Sequence, residues 1–177
     1  ALLPDGWATS VAMTVQDGRI AALERGTPCA THMQAHAIAL PGMPNLHSHA
    51  FQHGMAGLTE TRGPGSDSFW TWREAMYRFI DVMTPDDMQA IAAQAYAGML
   101  ENGFTHVAEF HYVHHDTHGR AYENIGELSE RIAAASAEAG IGLTLLPVFY
   151  AHAGFGGLAP THGQRRFINT LDQFEKI

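Results

Sequence analysis

The sequence predicts an α/β fold built on a parallel sheet, and three observations carry that expectation. Short apolar, strand-like runs alternate with longer segments of helical periodicity, at the spacing of βαβ units. Three of those runs end in loops rich in His, Tyr, Gly or Pro, and the C-terminal ends of strands are where a barrel places its chemistry. A doubly wound open sheet would show the same alternation, but no Gly-X-Gly-X-X-Gly fingerprint follows the first strand, so a dinucleotide fold is disfavoured.

Taken in order, residues 7–15 and 19–24 read as a strand pair. Val11, Met13 and Val15 alternate with Ala12, Thr14 and Gln16, and Asp17-Gly18 is a two-residue hairpin signal. Residues 26–37 read as a loop with room for one short strand. The first strand of the parallel sheet is expected over 39–47. Gly54 to Ser68 is Gly-rich and polar, and long enough to be an active-site loop. Phe69, Trp72, Met76, Phe79 and Ile80 then fall at helical spacing and read mostly as a core-facing stripe.

Thr84-Pro85-Asp86-Asp87 is a helix start, with a hydroxyl at the N-cap, proline at the first helical position and acids in the first turn. Met88, Ile91, Ala92, Ala95 and Met99 follow one face until Asn102-Gly103 stops the helix. Phe104 to Phe110 reads as a strand, followed by a His-rich segment from His111 to His118. A further helix is expected over 121–139, with Ile125, Leu128, Ile132 and Ala135 on one face and Gly140 closing it. Residues 141–150 form a continuous apolar run, as for a strand buried on both faces. A Gly/His loop over 151–163 precedes a last helix expected near 165–176.

The chain of 177 residues is long enough for one domain with a sizeable core, or one domain and a small appendage. Hydrophobic residues make up 46%, which marks a globular chain. A formal charge of −8 argues against nucleic acid or an anionic membrane as partner, and leaves room for a locally basic pocket. No apolar run reaches the length of a membrane span, and nothing at the start reads as a signal peptide. The single cysteine, Cys29, rules out an intrachain disulfide framework and fits a reducing, cytoplasmic setting.

The stretch from Leu40 to Gly54 organises the chain. Side chains two apart on a strand share a face, so His47 and His49 would project together, close enough to share one metal ion. Imidazole suits zinc, nickel or iron. Read alone, the pair can equally be two polar residues on a loop after a strand.

The frame Pro41-Gly42-X-X-Asn45-X-His47-X-His49 resembles the first-strand signature of the amidohydrolase superfamily. The fuller run from Met43 to His53 resembles the formimidoylglutamate deiminase family, as do the Trp70-X-Trp72-Arg73 segment and the run Glu109-Phe110-His111-Tyr112-Val113-His114-His115. The resemblance implies that residues 39–177 are the N-terminal portion of a (β/α)8 TIM-like barrel, about three to four βα units. Residues 1–38 would be part of a small β-sandwich domain, completed by a C-terminal end that this chain lacks. Read without the resemblance, they can be an N-terminal hairpin packed on a barrel. A complete barrel typically needs about 250 residues, so the chain is expected to be truncated.

The implied activity is zinc-dependent hydrolysis of the formimino C=N of N-formimino-L-glutamate to N-formyl-L-glutamate and ammonia, in histidine degradation. His47 and His49 would bind one Zn2+, with other divalent metals open. The remaining ligands and the general acid and base are expected beyond Ile177, so no catalytic acid or base is assigned within the chain. Taken alone, the chain is expected to bind metal weakly and to be inactive.

The substrate carries two carboxylates, so its pocket needs donors. Arg73 can clamp a carboxylate bidentately, although alone it reads as a solvated arginine on an exposed helix face. Tyr112 can donate its hydroxyl, or merely cover the barrel rim. Gln52 can bond the substrate, or merely cap a turn. Gln52, Arg73 and Tyr112 are the expected substrate contacts. Glu109 is expected to point into the barrel and to need a hydrogen-bond partner. His111, His114, His115 and His118 match no finger spacing, so one or two are expected to orient neighbours and the rest to be solvated. His53 is expected at the surface or behind the ligands. Two other readings are another amidohydrolase acting on a purine- or triazine-like ring, and a catalytically inactive barrel used as an interaction module. A homodimer is left open.

Overall fold

The computed structural model describes residues 1–61, 63 and 65–177. The chain divides into two compact units, Ala1–Gly42 and Met43–Ile177.

The first unit holds two small antiparallel pairs. β1 (Leu2–Leu3) pairs with β2 (Gly6–Trp7), and β3 (Val11–Gln16) pairs with β4 (Arg19–Arg25). The β3–β4 turn is Asp17-Gly18, with φ of 51° and 72°. Positive φ at both central positions matches the right-handed twist of the strands, and Asp and Gly are residues that tolerate it. The stretch after β4 forms no strand. Its backbone is tied back by Leu2 N–H donating to Ala39 O at 2.9 Å and Thr27 N–H donating to Ser10 O at 3.1 Å. No residue of this unit is buried, and Val15 and Ile20 stand more than half exposed.

The second unit is built on three parallel strands, β5 (Met43–Ser48), β6 (Phe104–His111) and β7 (Gly142–Pro147), in the order β5-β6-β7. Each new strand is laid beside the last, with no reversal of the kind that makes the switch point of a doubly wound sheet. Helices α1 (Phe69–Ile80) and α2 (Pro85–Glu101) lie between β5 and β6 in sequence, and α3 (Glu127–Ala139) lies between β6 and β7. The core contains Ile80 from α1, Met88, Ala92 and Tyr96 from α2, Val107 from β6, and Leu128 and Ile132 from α3. α2 starts as expected: Thr84 Oγ1 accepts from Asp87 N–H, and the Asp87 carboxylate accepts from Thr84 N–H at 2.9 Å. Among the described residues, no helix is long and apolar enough to cross a membrane.

Several boundaries depart from the sequence expectation for local reasons. β5 begins at Met43 rather than 39, because Met43 N–H, donating to Gly103 O, follows Pro41, which has no N–H to give. A 3₁₀ turn over Ala50–Met55 stands where the approach to a loop was expected. That loop expectation, Gly54 to Ser68, includes residues 62 and 64, which lie outside the described residues. α3 begins at Glu127, not 121. Asn124 holds a turn there, its side chain accepting from Gly126 N–H and its carbonyl from Glu127 N–H. β7 ends at Pro147; Val148 N–H then donates to His111 O, and Tyr150 bridges to Ile168. The helix expected over 165–176 shrinks to α4 (Leu171–Phe174), started by a fresh Thr170 cap.

Candidate active site

The two histidines of the organising stretch meet. His47 Nε2 lies 3.1 Å from His49 Nε2, with the rings nearly perpendicular at 84°. His49 Nδ1 is 2.7 Å from Phe110 O at the end of β6. A carbonyl only accepts, so Nδ1 carries the proton and Nε2 keeps its lone pair, turned towards His47. Burial, opposed by that hydrogen bond and aided by the charge of His47, holds the His49 imidazole below its ordinary pKa, which keeps it neutral. The His47 ring stacks on Phe110 at 4.2 Å between centroids, and His47 N–H donates to Asn45 Oδ1 at 3.2 Å. The two imidazoles are therefore aimed by a strand, a phenyl ring and a neighbouring carbonyl. Among the described residues, no group of three or more His, Cys, Asp or Glu side chains converges as a metal cage.

His49, Gln52, Arg73 and Tyr112 line one cavity of about 490 Å³. Gln52 Nε2 donates to Tyr112 Oη at 2.9 Å, and the phenol donates to Met76 Sδ at 3.3 Å. The Tyr112 ring sits 4.9 Å from His49. Burial raises the Tyr112 pKa, so its hydroxyl stays a donor. The Arg73 guanidinium lies over the Trp70 ring at 4.4 Å, with the Tyr77 ring farther off at 5.6 Å, and its buried Nε has no hydrogen-bond partner among the described residues. A half-buried arginine with an unused donor, braced by aromatic faces, is preorganised for an anion.

Other side chains of the cavity were not singled out in the sequence: Tyr77 on α1, Tyr150 after β7, and Gln164 and Phe167 in the segment that replaces the expected last helix. Of these only Tyr77 shares a helix with Arg73, four residues further on; the rest come together through tertiary packing alone.

The histidines from the end of β6 onward correct one expectation. His111, His114 and His115 are all buried, and of the four only His118 is exposed. His114 Nε2 lies 3.1 Å from Val148 O and His115 Nε2 lies 2.7 Å from Ile168 O, so both tie the loop after β6 to the segments after β7. His53 is exposed. Glu109 shares the buried face of β6 with Val107 and His111, opposite Phe110. Its Oε1 accepts from Ala50 N–H at 2.7 Å, capping the 3₁₀ turn that His49 leaves uncapped, and burial raises its pKa.

Residues 1–36 match the family description "Formimidoylglutamate deiminase HutF, N-terminal domain", and residues 38–175 match "Amidohydrolase family". A formimidoylglutamate deiminase of Pseudomonas aeruginosa is 55% identical over 178 residues, which take in 100% of this chain and 39% of that protein. An 8-oxoguanine deaminase of the same organism is 30% identical over 108 residues, 57% of this chain and 23% of that protein. The crystal structure of an amidohydrolase from Brucella melitensis superposes with a TM-score of 0.94 at 55% identity, covering 98% of this chain and 39% of that one. The chain thus spans 39% of the length of these two 55%-identical relatives. A match over residues 38–175, with the paired histidines inside it, establishes that the chain belongs to the amidohydrolase family.

Proposed function

We propose that this chain supplies the first two metal ligands and the carboxylate-binding wall of a hydrolase that converts N-formimino-L-glutamate to N-formyl-L-glutamate and ammonia. The observation that carries the reading is the convergence of His47 and His49 Nε2 beside a cavity braced by the Arg73 guanidinium and the Gln52–Tyr112 pair. The 55% identity to a formimidoylglutamate deiminase supports the choice of substrate.

The donor set fits zinc. Two imidazoles, one with its far nitrogen fixed on a carbonyl, are the ordinary ligands and ordinary outer support of that ion. The remaining donors come from outside the described residues. Bound there, zinc supplies Lewis-acid activation of water. Arg73 takes a carboxylate through two parallel N–H donors, with its charge stacked on Trp70. Tyr112 can turn its O–H from the weak sulfur acceptor of Met76 to a substrate oxygen, with Gln52 still donating to the phenolic oxygen. Water adds across the formimino C=N, ammonia leaves, and the carbon retains the oxygen as a formyl group.

In the same reading, residues 39–177 are the N-terminal portion of a TIM-like barrel, whose next strands would pair with the free edges of β5 and β7. Residues 1–38 are part of a small β-sandwich, which would cover the exposed apolar side chains of β3 and β4. A second reading, deamination of a purine-like ring, is favoured only by the more distant 8-oxoguanine deaminase. It leaves Arg73 without an anionic partner. Ammonia release by the full-length protein, with N-formimino-L-glutamate and 8-oxoguanine compared at equal concentration, separates the two. Turnover of 8-oxoguanine alone would overturn the proposal.

A further inference from the structure

We infer that the adjacent arginines Arg165 and Arg166 form a clamp that fixes the spacing of the cavity walls, and with it the affinity for a dicarboxylate; this rests on the function proposed above. Arg166 is fully buried, at 0% exposure, yet no carboxylate pairs with it among the described residues. Its guanidinium instead grips backbone. Nε donates to His115 O at 2.8 Å, and Nη1 donates to Ile80 O and to Met83 O, the latter at 3.0 Å. Ile80 O belongs to the last turn of α1, the negative end of a helix dipole. The Arg166 carbonyl in turn accepts from His114 N–H at 2.8 Å and His115 N–H at 3.1 Å.

Arg165 repeats the pattern nearer the surface. Its Nη1 lies 2.9 Å from Asp81 Oδ1, the C-cap residue of α1, and its Nε donates to Thr117 O at 2.9 Å. The dipeptide therefore binds the end of the helix carrying Arg73 to the loop that follows Tyr112. Its flanking residues, Gln164 and Phe167, line the third wall. Two glycines permit the close fit. A Cβ on Gly163 would stand 2.3 Å from the Tyr77 ring, and one on Gly119 would stand 3.0 Å from Arg165 Cβ.

Loss of the Arg166 guanidinium would take a donor from three carbonyls and cost stability, so its effect on the cavity is read in variants that stay folded. What an apolar residue cannot do is hold three carbonyls from two segments at fixed distances. Both arginines are positioning residues, since neither lines the cavity.

The test uses the full-length chain and the variants R166M, R166K and R165M. Calorimetry reads affinity for glutarate, a plain dicarboxylate probe, and steady-state kinetics read KM and kcat for N-formimino-L-glutamate. Zinc content and Tm are measured alongside. For R166M, glutarate Kd and KM should rise about tenfold, less than the roughly hundredfold that a 1 Å misplacement can cost, with kcat within about threefold and zinc content unchanged. R166K should recover part of the affinity, and R165M should lose about threefold because its site is more solvated. A merely structural arginine would lower Tm and leave Kd unchanged well below it. Unchanged Kd and KM in folded R166M overturn the clamp; if R166M does not fold, unchanged values in R165M overturn it. Glutarate failing to bind the unaltered chain overturns the dicarboxylate reading and the clamp together.

Discussion

At His49 a single backbone carbonyl decides the chemistry. Phe110 O takes the proton-bearing nitrogen and leaves the other facing His47. Replacing His49 by Ala should therefore abolish stoichiometric zinc in the full-length protein. Replacing Phe110 by Ala keeps the carbonyl and removes only the ring under His47, so it should weaken zinc by about tenfold or less; metal analysis and chelator competition measure both. Arg73 offers a second test at this scale. A lysine there retains charge but not the planar fork, so R73K should raise KM by roughly tenfold or more with a smaller fall in kcat. Equal losses in R73K and R73M would mean that the fork is used, and no loss in either would remove Arg73 from the site.

Single elements follow local rules where their ends are self-contained. α2 is specified by Thr84, Pro85 and Asp87, residues within one turn of each other, and its start matches the sequence reading. T84A should cost about 1 kcal/mol, read as a lower urea midpoint with an unchanged slope. α1 likewise keeps the bounds that its apolar spacing implies. The segment 165–176 shows the opposite case. Its composition permits a helix, but Arg165 and Arg166 are turned inward to carbonyls of other segments, and Asn169 N–H donates to Tyr150 O. Contacts that distant in sequence override a weak local preference.

Across the whole molecule, the buried histidines set a pH limit. Burial, with the nearby charge of His114 adding to it, pushes His111 down to about 3 from 6.5. Burial pushes His114 down to about 4, opposed by its bond to Val148 O. Between those values and 6.5 the unfolded chain binds more protons than the folded one, so their stabilisation is full above 6.5 and is lost as pH falls towards 4 and then 3. Each histidine contributes a slope of about 1.4 kcal/mol per pH unit in that window. Urea midpoints measured from pH 7 to pH 5 should fall, and H111F should make the fall shallower. Glu109 works in the opposite direction: raised by burial, it loses stabilisation as pH rises above 4.5. The chain of residues 1–177 taken alone should bind zinc only weakly, since two imidazoles do not complete a tetrahedral site; tight stoichiometric uptake in a titration would contradict this.

By itself the sequence determined the elements whose signals are local, together with the residue types that converge: the Asp17-Gly18 hairpin, α1, the capped α2, the paired histidines, and Gln52, Arg73 and Tyr112. Only the tertiary structure decided which way the buried polar groups face. Alternation along a strand says that Glu109 and Phe110 part company, but not which of them meets the helices. His114 and His115 read as a polar loop because their partners, the carbonyls of Val148 and Ile168, lie more than thirty residues away. Hydrogen bonds across that separation leave no period in the sequence, since their energy is realised only when β6 and β7 already lie side by side.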